Sequence, residues 1–139
     1  MNNIDLNLYG KFVNELTSET SKDLTTFMNR LDYLDNGEQG PDINVPLYLT
    51  SAMGLCSESG EYMEIAKKCA WQEKPFNADT HFHAKRELGD IIFYWLQACI
   101  ALDLNPNDVI QENITKLESR YPGGKFDAHY SENRKQGDL

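Results

Sequence analysis

Apolar residues recur along this chain at helical spacing rather than in alternation. Leu8, Phe12 and Leu16, with Tyr9 and Val13, form one stripe over residues 5–19, because positions three and four apart share a helix face. Thr20 and Ser21 offer an N-cap for a second helix over 22–34, with Leu24, Phe27, Met28, Leu31 and Leu34 as its buried face. Gly37, Gly40 and Pro41 break the pattern and make 36–45 a loop. Pro46 then opens a long helix to about Trp71, followed by a connector over 72–79 around Pro75. Asp79 or Thr80 caps the next helix, which runs to about Leu104. Asn105-Pro106-Asn107-Asp108 stops it and starts another over 108–120, with proline in the first turn. Pro122-Gly123-Gly124 ends that helix, and 125–139 reads as irregular. No segment alternates as a strand should. The prediction is an all-α fold, a bundle of four to five helices, in a single domain spanning 1–139, since 139 residues suit one core.

The longest apolar stretch, 91–102, is interrupted by Gln97. It falls well short of the ~20 residues that span a bilayer, so it predicts a buried helix and no membrane partner. The N-terminal MNNIDLNLYG lacks the basic start and apolar run of a leader. Cys56, Cys69 and Cys99 lie in apolar helical stretches and are odd in number, which predicts reduced core thiols and a cytoplasmic protein. The net charge of −9 lies in residues 1–110, whereas 111–139 is neutral. So acidic a surface argues against nucleic acid as a partner.

Against this background two carboxylate pairs stand out, Glu58-Ser-Gly-Glu61 and Glu87-Leu-Gly-Asp90. The i, i+3 spacing puts each pair on one helix face. Glu58 shares its face with Leu47, Gly54, Leu55, Tyr62, Ile65 and Cys69, and Glu61 lies on the shoulder of that stripe. Asp90 is the only charged residue in 88–102 and lines up with Ile91, Tyr94 and Ala101. Solvated acidic faces are flanked by polar residues, and these pairs are not. Four carboxylates gathered together would raise one another's pKa values unless a cation joined them. All four are oxygen donors, which suits Mg²⁺ or Mn²⁺. A di-iron bundle would carry histidine at i+3. His83, one turn before Glu87, is a weaker ligand candidate than a solvated first-turn histidine.

The neutral C-terminal segment holds cations where a polyphosphate could use them. Asn113, Lys116 and Arg120 share one helix face, and Tyr121-Pro122-Gly123-Gly124-Lys125 follows as a turn. Arginine, lysine and asparagine donors suit phosphate oxygens. Lys68 lies toward the Glu61 side of its helix and within reach of phosphate, whereas Lys67 falls on the opposite side. The competing explanation is an ordinary Glu112–Lys116 surface pair and a glycine helix stop.

Taken together, Gly54-Leu55-Cys56-Ser57-Glu58-Ser59-Gly60-Glu61, Lys67-Lys68, Glu87-Leu88-Gly89-Asp90, Asn113-Ile114-Thr115-Lys116-Leu117 and Arg120-Tyr121-Pro122 resemble the all-α NTP pyrophosphatases, the MazG-like and dimeric-dUTPase-like proteins. The resemblance covers 46–127. It implies Mg²⁺-dependent cleavage of a nucleoside triphosphate between its α and β phosphates. It makes Glu58, Glu61, Glu87 and Asp90 metal ligands, with Glu58 or Glu61 as the catalytic base. It gives the phosphates to Asn113, Lys116, Arg120 and Lys125, with Lys68 beside them. Trp71 or Tyr94 would stack on the base, and the basic tail over 131–135 would close over substrate. The resemblance also implies a homodimer or homotetramer. Two alternatives stay open: a narrower relative, such as a dUTPase or a phosphoribosyl-ATP pyrophosphatase, and a helical oligomerisation module that binds metal only structurally.

Overall fold

The computed structural model describes residues 4–37 and 41–134. Among them are six α-helices, one short 3₁₀ turn and no strand, so the fold is all-α with more helices than the four or five predicted. Gly40 of the predicted loop and Lys135 of the basic tail lie outside the described residues. The chain forms two compact units, Met1–Val45 and Pro46–Leu139.

In the first unit, α1 (Leu6–Leu16) starts where the Asp5 carboxylate accepts the amides of Asn7 and Leu8 at 2.9 and 3.2 Å. A 3₁₀ turn (Glu19–Ser21) precedes α2 (Leu24–Asp35). The cap of α2 is Asp23, not Thr20 or Ser21: its carboxylate accepts both the amide and the hydroxyl of Thr26 at 2.7 Å. A charged acceptor forms the stronger cap bond. Those two bonds hold the Asp23 carboxyl below its ordinary pKa. Leu31 and Leu34 are half-buried as expected, but Leu24, Phe27 and Met28 are exposed. A unit this small cannot cover every apolar side chain it carries. Asp35 closes the loop by accepting the Val45 amide at 3.3 Å.

The second unit is built on α3 (Val45–Trp71), α4 (Ala78–Ala101) and α5 (Pro106–Arg120). The cap of α4 is Asn77, which accepts the Thr80 amide at 2.9 Å. The two residues expected to cap do other things. Asp79 occupies the first turn, where a negative charge favours the helix dipole, and faces His83 at 3.4 Å. Thr80 is buried and donates its hydroxyl to the Pro75 carbonyl at 3.0 Å, fastening the connector to the helix. Asn105 caps α5 and Pro106 fills its first turn, so α5 begins two residues before position 108. The segment after it is not wholly irregular: Asp127 caps a short α6 (Ala128–Glu132) by accepting the His129 amide.

The packing of α3 against α4 is fixed where Gly54, itself buried, meets the ring of Tyr94; a Cβ on Gly54 would occupy the ring's own space. Moving toward the C-terminus of α3 from this point leads to Glu58, and toward the N-terminus of α4 leads to Glu87. Those two meet as well, so the helices run antiparallel. The 91–102 stretch is only half buried. Cys99 and Ala101 are enclosed, while Ile92, Phe93 and Ile100 are more than half exposed. A helix presents a full circumference, and within the described residues α3 and α5 cover only part of it. For the same reason Cys56 is exposed and Cys69 half-buried, leaving only Cys99 as a core thiol. Among the described residues no helix is long and apolar enough to cross a membrane.

Candidate metal and nucleotide site

One turn beyond the Gly54–Tyr94 contact, the antiparallel pair brings Glu58 and Glu61 of α3 together with Glu87 of α4. One carboxylate oxygen from each lies within 4.8 Å of the others. Glu58 and Glu87 are half-buried, and Glu61 is exposed. Asp90, the fourth predicted ligand, lies outside that set and is solvent-exposed. It remains close enough to act on Glu58 electrostatically. The Glu58 carboxyl is pushed above its ordinary pKa, first by burial and then by the negative charges of Glu61, Asp90 and Glu87. All four members of the two sequence pairs therefore share one electrostatic neighbourhood, with Glu58 at its centre.

Such a cluster repels itself, and a cation bound among the carboxylates would relieve the repulsion. Three convergent carboxylate oxygens form a hard donor set, which fits a hard divalent ion rather than one that favours sulfur or imidazole. His83 is not part of the set: it faces Asp79 and packs edge-on against Phe82.

The predicted phosphate-binding residues of α5 and the turn after it divide into three groups. Asn113 and Lys116 line a cavity of about 630 Å³ between α4 and α5, walled by Ile91, Ile92, Trp95 and Val109, with Leu55 of α3 also on its lining. Glu112, one turn before Lys116, lines the same cavity, and among the described residues the two are not within ion-pair distance. Lys125 lines a different cavity of about 520 Å³ with Tyr121, Pro122 and Phe126. Arg120 occupies the last turn of α5, where a positive charge favours the helix dipole.

Lys68 pairs with Glu64 at 3.3 Å, and Lys67 pairs with the same carboxylate. The hydrogen bond from Lys67 is the main reason the Glu64 carboxyl is held below its ordinary pKa. Trp71 ends α3 and is 80 % exposed. It follows Glu61 by ten residues, about 15 Å of helix. The aromatic that lines the cavity next to the carboxylate cluster is instead Trp95, which sequence reasoning missed. Ile91 and Trp95 follow Glu87 by one and two turns on a flank of the same helix, a spacing that reads in sequence as ordinary core.

Among the described residues the second unit is all-helical, and three carboxylates from two antiparallel helices converge within it. The chain belongs to the MazG nucleotide pyrophosphohydrolase domain family, whose sequence profile matches residues 48–124. That range contains α4 and α5 whole, nearly all of α3, and every member of the carboxylate cluster. No curated protein and no solved structure matches the chain.

Proposed function

We propose that this protein is a Mg²⁺-dependent nucleoside triphosphate pyrophosphohydrolase, acting in the cytoplasm, that cleaves the α–β phosphoanhydride of a (d)NTP to give the monophosphate and pyrophosphate. The observation that carries the reading is the meeting of Glu58, Glu61 and Glu87 across α3 and α4, with Asp90 within electrostatic reach. These residues would hold the metal. When bound, Mg²⁺ neutralises phosphate charge and promotes ionisation of a water.

The chain's own contribution is positioning and proton control. Antiparallel packing at Gly54–Tyr94 holds the two carboxylate pairs in register, and fixed geometry is a large part of phosphoryl-transfer catalysis. Glu58, half-buried at the centre of the cluster, is the member placed to take a proton from the attacking water. Lys116 provides a charge for the phosphates, and Arg120 provides a second on the same helix. The assembly is a homodimer or homotetramer; the exposed Phe93 and Ile100 of α4 support this, since such apolar surface is what a partner subunit covers.

Incubation with a panel of ribo- and deoxyribonucleoside triphosphates plus Mg²⁺ tests the reading. Pyrophosphate is expected from at least one, and release of orthophosphate alone would rule out α–β cleavage.

A further inference from the structure

The cavity between α4 and α5 has a composition that phosphate binding does not explain. Its walls are largely apolar, with Ile91, Ile92, Trp95 and Val109, and its polar groups are Glu112, Asn113 and Lys116, all from α5. A volume of about 630 Å³ falls within the roughly 300–1,000 Å³ typical of small-molecule sites. Apolar walls, one indole and a few convergent polar groups suit a flat heteroaromatic ring better than a polyanion. The cavity is also adjacent to the carboxylates. Leu55 lies three residues from Glu58, and Ile91 four from Glu87, one helical turn in each case. A molecule with phosphates at the carboxylate cluster would have its other end about one turn away, at this cavity.

We propose that the α4–α5 cavity is the nucleobase subsite, with the base stacked on the Trp95 indole and its edge hydrogen-bonded by the Asn113 side-chain amide. This inference rests on the pyrophosphohydrolase reading for its substrate class. It moves Asn113 from the phosphates to the base and replaces Trp71 and Tyr94 as the stacking aromatic. Trp71 is on the surface at the end of α3, and the Tyr94 ring is occupied against Gly54 and edge-on to Phe93, with ring centroids 5.3 Å apart. The Asn113 amide carries both donors and an acceptor, which is what a base edge needs. An indole provides sequence-tolerant stacking because every base has a π-face.

The chain holds two tryptophans, so a Trp71→Phe variant reports on Trp95 alone. Titration of that variant with AMP and UMP in Mg²⁺ buffer is expected to quench its fluorescence saturably, while ribose 5-phosphate leaves it unchanged. In triphosphate hydrolysis, Asn113→Ala and Trp95→Leu are each expected to raise KM, by about tenfold for Trp95→Leu, the scale of one lost base–aromatic stack. Asn113 is exposed, so its truncation keeps the test valid should Trp95→Leu misfold. If pyrophosphate is released but neither nucleotide quenches Trp95 and KM stays put in Asn113→Ala, the base subsite is wrong and the catalytic reading survives. Saturable quenching by AMP or UMP with no pyrophosphate from any triphosphate would leave the subsite standing and remove the catalytic reading.

Discussion

The Tyr94 ring fills the space beside Gly54 that any other residue's Cβ would need. This contact lies one helical turn from Glu58 and from Asp90, so it sets the separation of α3 and α4 at the level of the carboxylates. Gly54→Ala pits two effects against each other. Alanine favours a helix interior over glycine by about 1 kcal/mol, whereas overpacking a tight contact costs about 1–3 kcal/mol. Overpacking wins because the intruded atoms belong to a rigid ring. The variant is expected to melt at lower temperature by circular dichroism and to lose hydrolysis beyond what the loss of folded protein explains.

Glu58 makes the metal-free protein sensitive to pH. Its carboxyl is raised above the ordinary value by burial and by Glu61, Asp90 and Glu87. The folded state therefore holds this proton to higher pH than the unfolded chain does. Where the folded state binds more protons, stability falls as pH rises. The metal-free melting temperature is expected to decline as pH climbs from the ordinary glutamate range toward the raised value. Glu58→Gln, neutral throughout, should flatten that decline and melt higher than the wild type above it.

Divalent metal reverses the same repulsion. At a Mg²⁺ concentration a hundred times Kd, binding to the folded state alone adds about 2.7 kcal/mol. A rise in melting temperature on adding Mg²⁺, reduced in Glu58→Gln and Glu87→Gln, is the expected calorimetric result. Equal rises in all three proteins would place the metal elsewhere.

Gln97 interrupts the apolar run of α4, and its side-chain oxygen is buried without a hydrogen-bond partner among the described residues. An unsatisfied buried acceptor costs about 1–3 kcal/mol. Gln97→Met, similar in volume, is expected to stabilise the protein in urea melts if that oxygen is unpartnered in solution. A destabilised variant would contradict the unsatisfied acceptor.

Much of this was legible in the sequence because it is local. Helices, breakers and paired carboxylates depend on spacing along the chain, and α3, α4 and α5 fall close to where periodicity puts them. The misplaced caps were settled by a competition invisible to composition: Asp23 and Asn77 outbid Thr20, Ser21, Asp79 and Thr80 because their side chains reach the right amide. The division of Asn113 and Lys116 from Lys125 arises in three dimensions, since the end of α5 and the turn after it place Lys125 in another cavity. Trp95 was not legible because an apolar position on a helix reads as core, and the cavity beside it forms only when α5 packs nearby. The full burial expected for 91–102 failed because periodicity marks a helix as apolar without saying whether its own chain covers it.

The catalytic role of the carboxylate cluster is tested most directly by pyrophosphate release from a nucleoside triphosphate in Mg²⁺, comparing wild type with Glu58→Gln at matched folded concentration. The expected result is one pyrophosphate per monophosphate from the wild type and a loss of at least about 10²-fold in Glu58→Gln, the scale of losing a positioned general base. Undiminished release from Glu58→Gln, or none from the wild type with any triphosphate, would contradict it.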